Sequence, residues 1–238
     1  MGAVILLTHA VAFMTHEYAH ALTAWALGWK ADPLALNYGP ATLANILFQQ
    51  GIDENVDYGP IFASYHGLDA ALIAFAGAGI GNGLFYFIYA AALRHVPRHR
   101  PYAEMILFWL AVMSAGNVWS YAPTRALAGH ADMALLAQGL GLSRLAMFPL
   151  VTIPALAITW HFFTRCAPDA MAALRQNQPD RLILTASLAS FFYFGFFGGS
   201  AVGGNYGDPA ALFSIASILI LLPLSTLYLV KRSDPDRA

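Results

Sequence analysis

Residues 16–20 read His-Glu-Tyr-Ala-His. At about 100° per residue, His16 and His20 stand about 40° apart on a helix and one turn along, so both imidazoles share a face. That spacing lets two ring nitrogens hold one tetrahedral zinc ion while Glu17 reaches a water on the metal. Zinc lowers the pKa of such a water to about 7, and a neighbouring carboxylate can take its proton as the water attacks a carbonyl carbon. Catalytic zinc takes three protein ligands, so a third must come from elsewhere. The sequence offers Asp132, His130, His66 and Asp69. The remaining glutamates are Glu54 and Glu104, and Glu104 opens an apolar block at the end away from the two histidines. His9 lies near the same face as His16, but seven residues is about 10 Å of rise. Packing, or support of a ligand, is the role expected of it.

These residues must be positioned by membrane helices. Of 238 residues, 58% are hydrophobic and only 11% charged, and mean hydropathy is +0.57. A soluble domain carries about 25% charge. The net charge of −1 leaves no basic surface for nucleic acid, and a single cysteine, Cys166, forbids an intrachain disulfide or a multi-thiolate metal site. Apolar runs of about 20 residues span a bilayer, and six qualify: 3–27, 68–93, 103–121, 145–164, 182–204 and 211–230. The first lacks a basic leader and carries His9, His16, Glu17 and His20, so it reads as a retained helix rather than an export signal. A charged side chain at mid-span costs about 2.5–3.5 kcal/mol on insertion scales, which makes an intramembrane polar cluster functional by default.

With six spans, Arg94, Arg98, Arg100, Arg165, Arg175, Arg181, Lys231, Arg232 and Arg237 fall on one side, and Lys30, Arg125 and Arg144 on the other. The positive-inside rule then puts both termini in the cytoplasm and His16 and His20 in the outer half of the membrane. Residues 28–67 are too long for a simple connector and read as an interfacial segment or gate. Residues 122–143, rich in Gly and Ala, read as a re-entrant segment. The expected architecture is all-α and polytopic, with a core in residues 1–145 built on the first three spans. Residues 146–238 add three further spans and a short tail.

The motifs resemble those of the site-2 protease family of intramembrane zinc metalloproteases, over roughly the first 145 residues. His16, Glu17 and His20 match the family's His-Glu-x-x-His motif on its first core helix. Gly77-Ala78-Gly79-Ile80-Gly81-Asn82 is similar to the second motif, with glycine where proline is usual. Asn117, Pro123 and Asp132 look like the third, at longer spacing and with Met133 in place of a glycine. The resemblance implies Asp132 as the third zinc ligand, and Asn82 as a catalytic amide that binds substrate backbone or an oxyanion. The orientation read from charge places the site nearer the outside than in well-known bacterial members, and the family's frequent PDZ insertion has no counterpart among these loops.

The resulting expectation is a Zn2+-dependent protease that cuts a membrane protein substrate within or beside the lipid bilayer. A non-enzymatic transporter or metal-binding protein could use the same polar cluster. A membrane hydrolase of lipid amides is a third reading. Diiron chemistry is disfavoured, because it needs several histidine boxes and the chain holds one pair. Oligomeric state is not legible.

Overall fold

Each long apolar block of the sequence folds as a helix. The computed structural model describes residues 1–232 except 98, 178, 204 and 205, and the side chains of 173–178 are not described. Arg98, Arg237, the Arg175 side chain and Gly204, the expected end of the fifth span, therefore lie outside the described residues. Among the described residues the elements are helical, and the one extended pairing is an isolated bridge between Asn37 and Asp53.

The helices are α1 (Gly2–Ala26), α2 (Leu43–Phe48), α3 (Tyr58–Ala63), α4 (Gly67–His95), α5 (Pro101–Thr124), α6 (Asp132–Gly139), α7 (Arg144–Ala172), α8 (Pro179–Ser190, continued by Phe191–Phe197) and α9 (Asp208–Arg232). Four of them, α4, α5, α7 and α9, are long and apolar enough to cross a bilayer, which marks a multi-pass membrane protein. Helix α1 has 25 residues, but its histidines and Glu17 dilute its hydropathy. Helix α8 opens on Asp180 and Arg181 and stops at Phe197, short of the expected 204. A turn follows, and Gly203 adopts a left-handed φ of 77° there.

Helix α5 is the central post. It packs on α1, α4, α7 and α8, and its Trp109, Trp119 and Met113 are buried. Phe162, Phe163, Tyr193 and Phe194 stack beside it, joining the two halves of the chain through one aromatic core.

Two widened turns shape the site. In α5, Pro123 lacks the N–H that would bond to the Trp119 carbonyl; the Thr124 hydroxyl donates to that carbonyl instead, at 3.1 Å, and Ser120–Thr124 takes a π-helical turn. In α4, Gly77–Leu84 is also π-helical. Residues five apart stand about 140° apart on an α-helix, whereas i→i+5 bonding brings them toward one face. Gly77 and Asn82 both face α1 in this way. Backbones there are in close contact, since a Cβ on Gly81 would stand 2.7 Å from the His16 Cα.

The 28–67 segment is folded in its own right. Asn45 donates from Nδ2 to the carbonyls of Tyr38 and Pro40 and accepts from the Gly51 N–H. Ile61 seals the segment against Ala24, Ala70 and Ile73. Lys30 Nζ donates to the carbonyls of Ala35 and Asn55, and Trp29 Nε1 to Asp69 at 2.9 Å. Helix α6 lies on the first turns of α4, where Gly67 and Gly139 meet backbone to backbone.

Candidate metal centre

His16 and His20 are buried on the face of α1 that meets α4 and α5. Asp132, the first residue of α6, reaches them across 116 positions of sequence. His16 Nε2 lies 3.1 Å from His20 Nε2, and Asp132 Oδ2 lies 3.2 Å from His16 Nε2 and 3.4 Å from His20 Nε2. These three residues could hold a metal ion.

The protons of the two rings are fixed by what lies behind them. His20 Nδ1 is 2.6 Å from the Ile73 carbonyl, which can only accept, so this nitrogen carries the proton. Asn82 Nδ2 donates to the Ala12 carbonyl at 2.9 Å, which turns its Oδ1 toward His16 Nδ1 at 2.6 Å. That nitrogen is protonated as well. In neutral rings both Nε2 atoms are then lone-pair acceptors, and with a carboxylate oxygen they make three acceptors in mutual contact. Such a cluster repels itself unless a positive charge, a proton or a metal ion, sits among the three. Bonds of about 2.0–2.2 Å at tetrahedral angles would hold ligand atoms about 3.3 Å apart, and the three observed separations bracket that value. The donor set of two imidazoles and one carboxylate suits zinc, and carbonyl-type acceptors on both Nδ1 atoms are the usual support for metal-binding histidines.

Space for an ion depends on Gly77, which is buried against both rings. A Cβ there would lie 2.6 Å from His16 Nε2 and closer still to His20 Nε2, in the region an ion would occupy. The Tyr121 ring covers His16, with centroids 4.2 Å apart.

A cavity of about 500 Å³ opens on this cluster. Glu17, His20 and Asp132 line it beside Asp53 and Glu54 of the long loop, Ser120 and Tyr121 of α5, Arg125 just past the end of α5, and Phe196 and Phe197 of α8. Glu17, next in sequence to His16, is itself buried. Burial alone would raise the Asp132 carboxyl, but a positive charge at the facing histidines, His20 first, outweighs it and holds the group well below the usual carboxylate range. Burial, helped by Glu54, pushes the Tyr58 phenol far up, so Tyr58 stays neutral.

The other ligands the sequence offered are engaged elsewhere. His66 is exposed, with Nδ1 on the Ser64 carbonyl, and Asp69 accepts from Trp29. His130 is exposed and stacks on Tyr206. His9 sits among Phe13, Phe48, Phe196 and Phe197 at the far end of the cavity. Asn82 is fully buried, with both ends of its amide taken by His16 and Ala12, an arrangement that orients the ring rather than reaching the cavity. Asn117 lines the cavity with its buried Nδ2 unpaired among the described residues.

Tyr121 and Tyr206 carry no sequence signal of their own, and Gly77 enters the sequence reading only as the first residue of the glycine motif. The glycine run 77–83 shows only that a close backbone approach is allowed. No family model, no curated protein and no solved structure matches the chain.

Proposed function

We propose that the chain is a zinc-dependent intramembrane metalloprotease that hydrolyses a peptide bond of a membrane-associated protein. The observation that carries this reading is the convergence of His16, His20 and Asp132 beside Glu17, on the wall of a cavity large enough for an extended peptide segment. A zinc ion held there supplies Lewis acidity toward a water and a peptide carbonyl. Glu17 accepts a proton as the water oxygen bonds to the carbonyl carbon, then delivers it to the amine nitrogen as the C–N bond breaks. Asn82 and the Ile73 carbonyl hold the two imidazoles with Nε2 turned inward. The 28–67 segment, through Asp53 and Glu54, forms the rim past which an unwound substrate enters.

In this reading α1, about 38 Å long at 1.5 Å per residue, and α8 cross the bilayer with the four apolar helices, giving six spans with both termini in the cytoplasm. The test of function uses protein purified in detergent, loaded with zinc and incubated with unfolded β-casein. Glu17→Gln is expected to keep about one zinc per chain while losing hydrolysis by at least about 10²-fold. Equal cleavage by Glu17→Gln refutes Glu17 as the base. Stoichiometric zinc with no cleavage by the wild type points to a metal-binding or transport protein instead.

A further inference from the structure

The cavity holds one positively charged side chain that the metal chemistry leaves unused. Arg125 packs its guanidinium carbon 4.2 Å from the centroid of Tyr121 and 5.0 Å from that of Tyr206. Tyr121 in turn lies against the ligand His16, and Tyr206 stacks on the exposed His130 with centroids 4.8 Å apart and planes 11° apart. His16, Tyr121, Arg125, Tyr206 and His130 thus form one continuous column from the metal cluster to the surface. Arg125 sits in its middle and lines the cavity.

Two tyrosine rings against the guanidinium fix its position and leave its N–H edge as the part available for recognition. That edge has no carboxylate in direct contact, although Asp132 acts on it across the cavity. Arg125 makes no ion pair among the described residues, and its buried Nε has no hydrogen-bond partner. A partly buried arginine whose Nε is left without an acceptor costs free energy unless an acceptor reaches it. The anion that matches a planar fork of donors is a planar carboxylate, bound by two parallel N–H···O bonds.

We infer that Arg125 is the anchor for a carboxylate of the substrate, beside the candidate metal. That the carboxylate belongs to a peptide rests on the protease reading above, whereas the anchor is read from the column geometry alone. The other charged groups on the cavity wall explain why the anion must arrive as part of a chain. Glu17, Asp53, Glu54 and Asp132 make the cavity acidic, so a small free anion is repelled on entry. A peptide already held across the cavity can deliver its carboxylate locally. Arg125 is two contacts of 4.2 Å from the His16 ring, a reach of about two or three extended residues at roughly 3.3 Å each. The carboxylate therefore belongs to a residue within a few positions of the scissile bond. An aspartate or glutamate side chain and a free C-terminus present the same group.

The test separates these sources. Short apolar peptides carrying a neutral dye are made with glutamate or glutamine at successive positions, and with a free or amidated C-terminus. Their binding is measured on detergent-solubilised, zinc-loaded Glu17→Gln protein, alone and combined with Arg125→Gln or Arg125→Lys. Zinc content reports that each variant is folded. A carboxylate is expected to tighten binding by at least about tenfold at one register, as one charge-assisted hydrogen bond would. The gain should vanish in Arg125→Gln and shrink in Arg125→Lys, which keeps the charge but not the fork. A glutamate-dependent gain with an amidated end assigns the side chain, and a gain only with a free end assigns the C-terminus. Equal binding of neutral and acidic peptides overturns the anchor, and so does a preference that survives both substitutions. If the wild type cleaves no peptide yet the Arg125-dependent gain stands, the protease reading fails and the anchor holds.

Discussion

Gly77→Ala adds one methyl group and is expected to damage the metal centre more than most larger surface changes. Its Cβ would lie 2.6 Å from His16 Nε2, where ordinary contact begins at 3.4 Å, a shortfall of 0.8 Å, and it stands nearer still to His20 Nε2. The rings cannot swing aside freely, because each is tied by a 2.6 Å hydrogen bond, His16 to Asn82 and His20 to the Ile73 carbonyl. If α4 withdrew from α1 instead, the same two bonds would stretch, since Ile73 and Asn82 both belong to α4. Losing two buried hydrogen bonds at about 1–3 kcal/mol each costs about 2–6 kcal/mol. At about 1.4 kcal/mol per decade, zinc affinity should fall by at least about 30-fold. Competition against a chromophoric chelator in detergent measures it. Gly79→Ala is the control on the same turn, because the atoms nearest its Cβ belong to the Phe75 ring, an exposed side chain free to move. If Gly77→Ala binds zinc as tightly as Gly79→Ala and the wild type, no ion sits between these histidines and the geometric argument is wrong.

Asp132→Ala should lose zinc and hydrolysis together, while His130→Ala and His66→Ala keep the metal; zinc content by mass spectrometry distinguishes them. Asn82→Leu removes the acceptor that fixes the His16 tautomer and should weaken zinc about 10–100-fold, and Asn82→Asp, which restores an acceptor, should recover much of that loss in the same chelator titration. Cysteine placed at Asp53 in a Cys166→Ser background should react with an impermeant thiol reagent in intact cells, and protection there would reverse the proposed orientation.

The parts of the site legible in the sequence are those encoded locally. A five-residue motif on one helix fixes which face His16 and His20 share, and the apolar blocks fix the helices that carry them. Asp132 was reachable only through a resemblance of motifs, because nothing in its own neighbourhood points to residues 16 and 20. The tie between Asn82 and His16 was hidden for a physical reason. It depends on a π-helical turn over Gly77–Leu84 that breaks the regular 3.6-residue period. Arg125 carries no local signal of its own, since Tyr206, which completes its setting, lies 81 positions away (206 against 125). Gly195, Gly199 and Gly203 recur every four residues, the spacing of a helix-packing face. Gly195 and Gly199 do meet Leu222 and Ile218 of α9, but the helix has ended before Gly203, whose φ is left-handed. The 28–67 segment looked like an irregular gate. Its order comes from side-chain contacts to backbone, above all those of Asn45, which leave no periodic trace.

Zinc-edge X-ray absorption on the purified wild-type protein tests the central claim most directly. The account predicts one zinc per chain in a four-coordinate shell of nitrogen and oxygen, with two imidazole nitrogens at about 2.0–2.1 Å and a carboxylate oxygen at about 2.0–2.2 Å. The imidazole signal should be lost in His16→Ala. A six-coordinate all-oxygen shell, or an unchanged spectrum in His16→Ala, would contradict it.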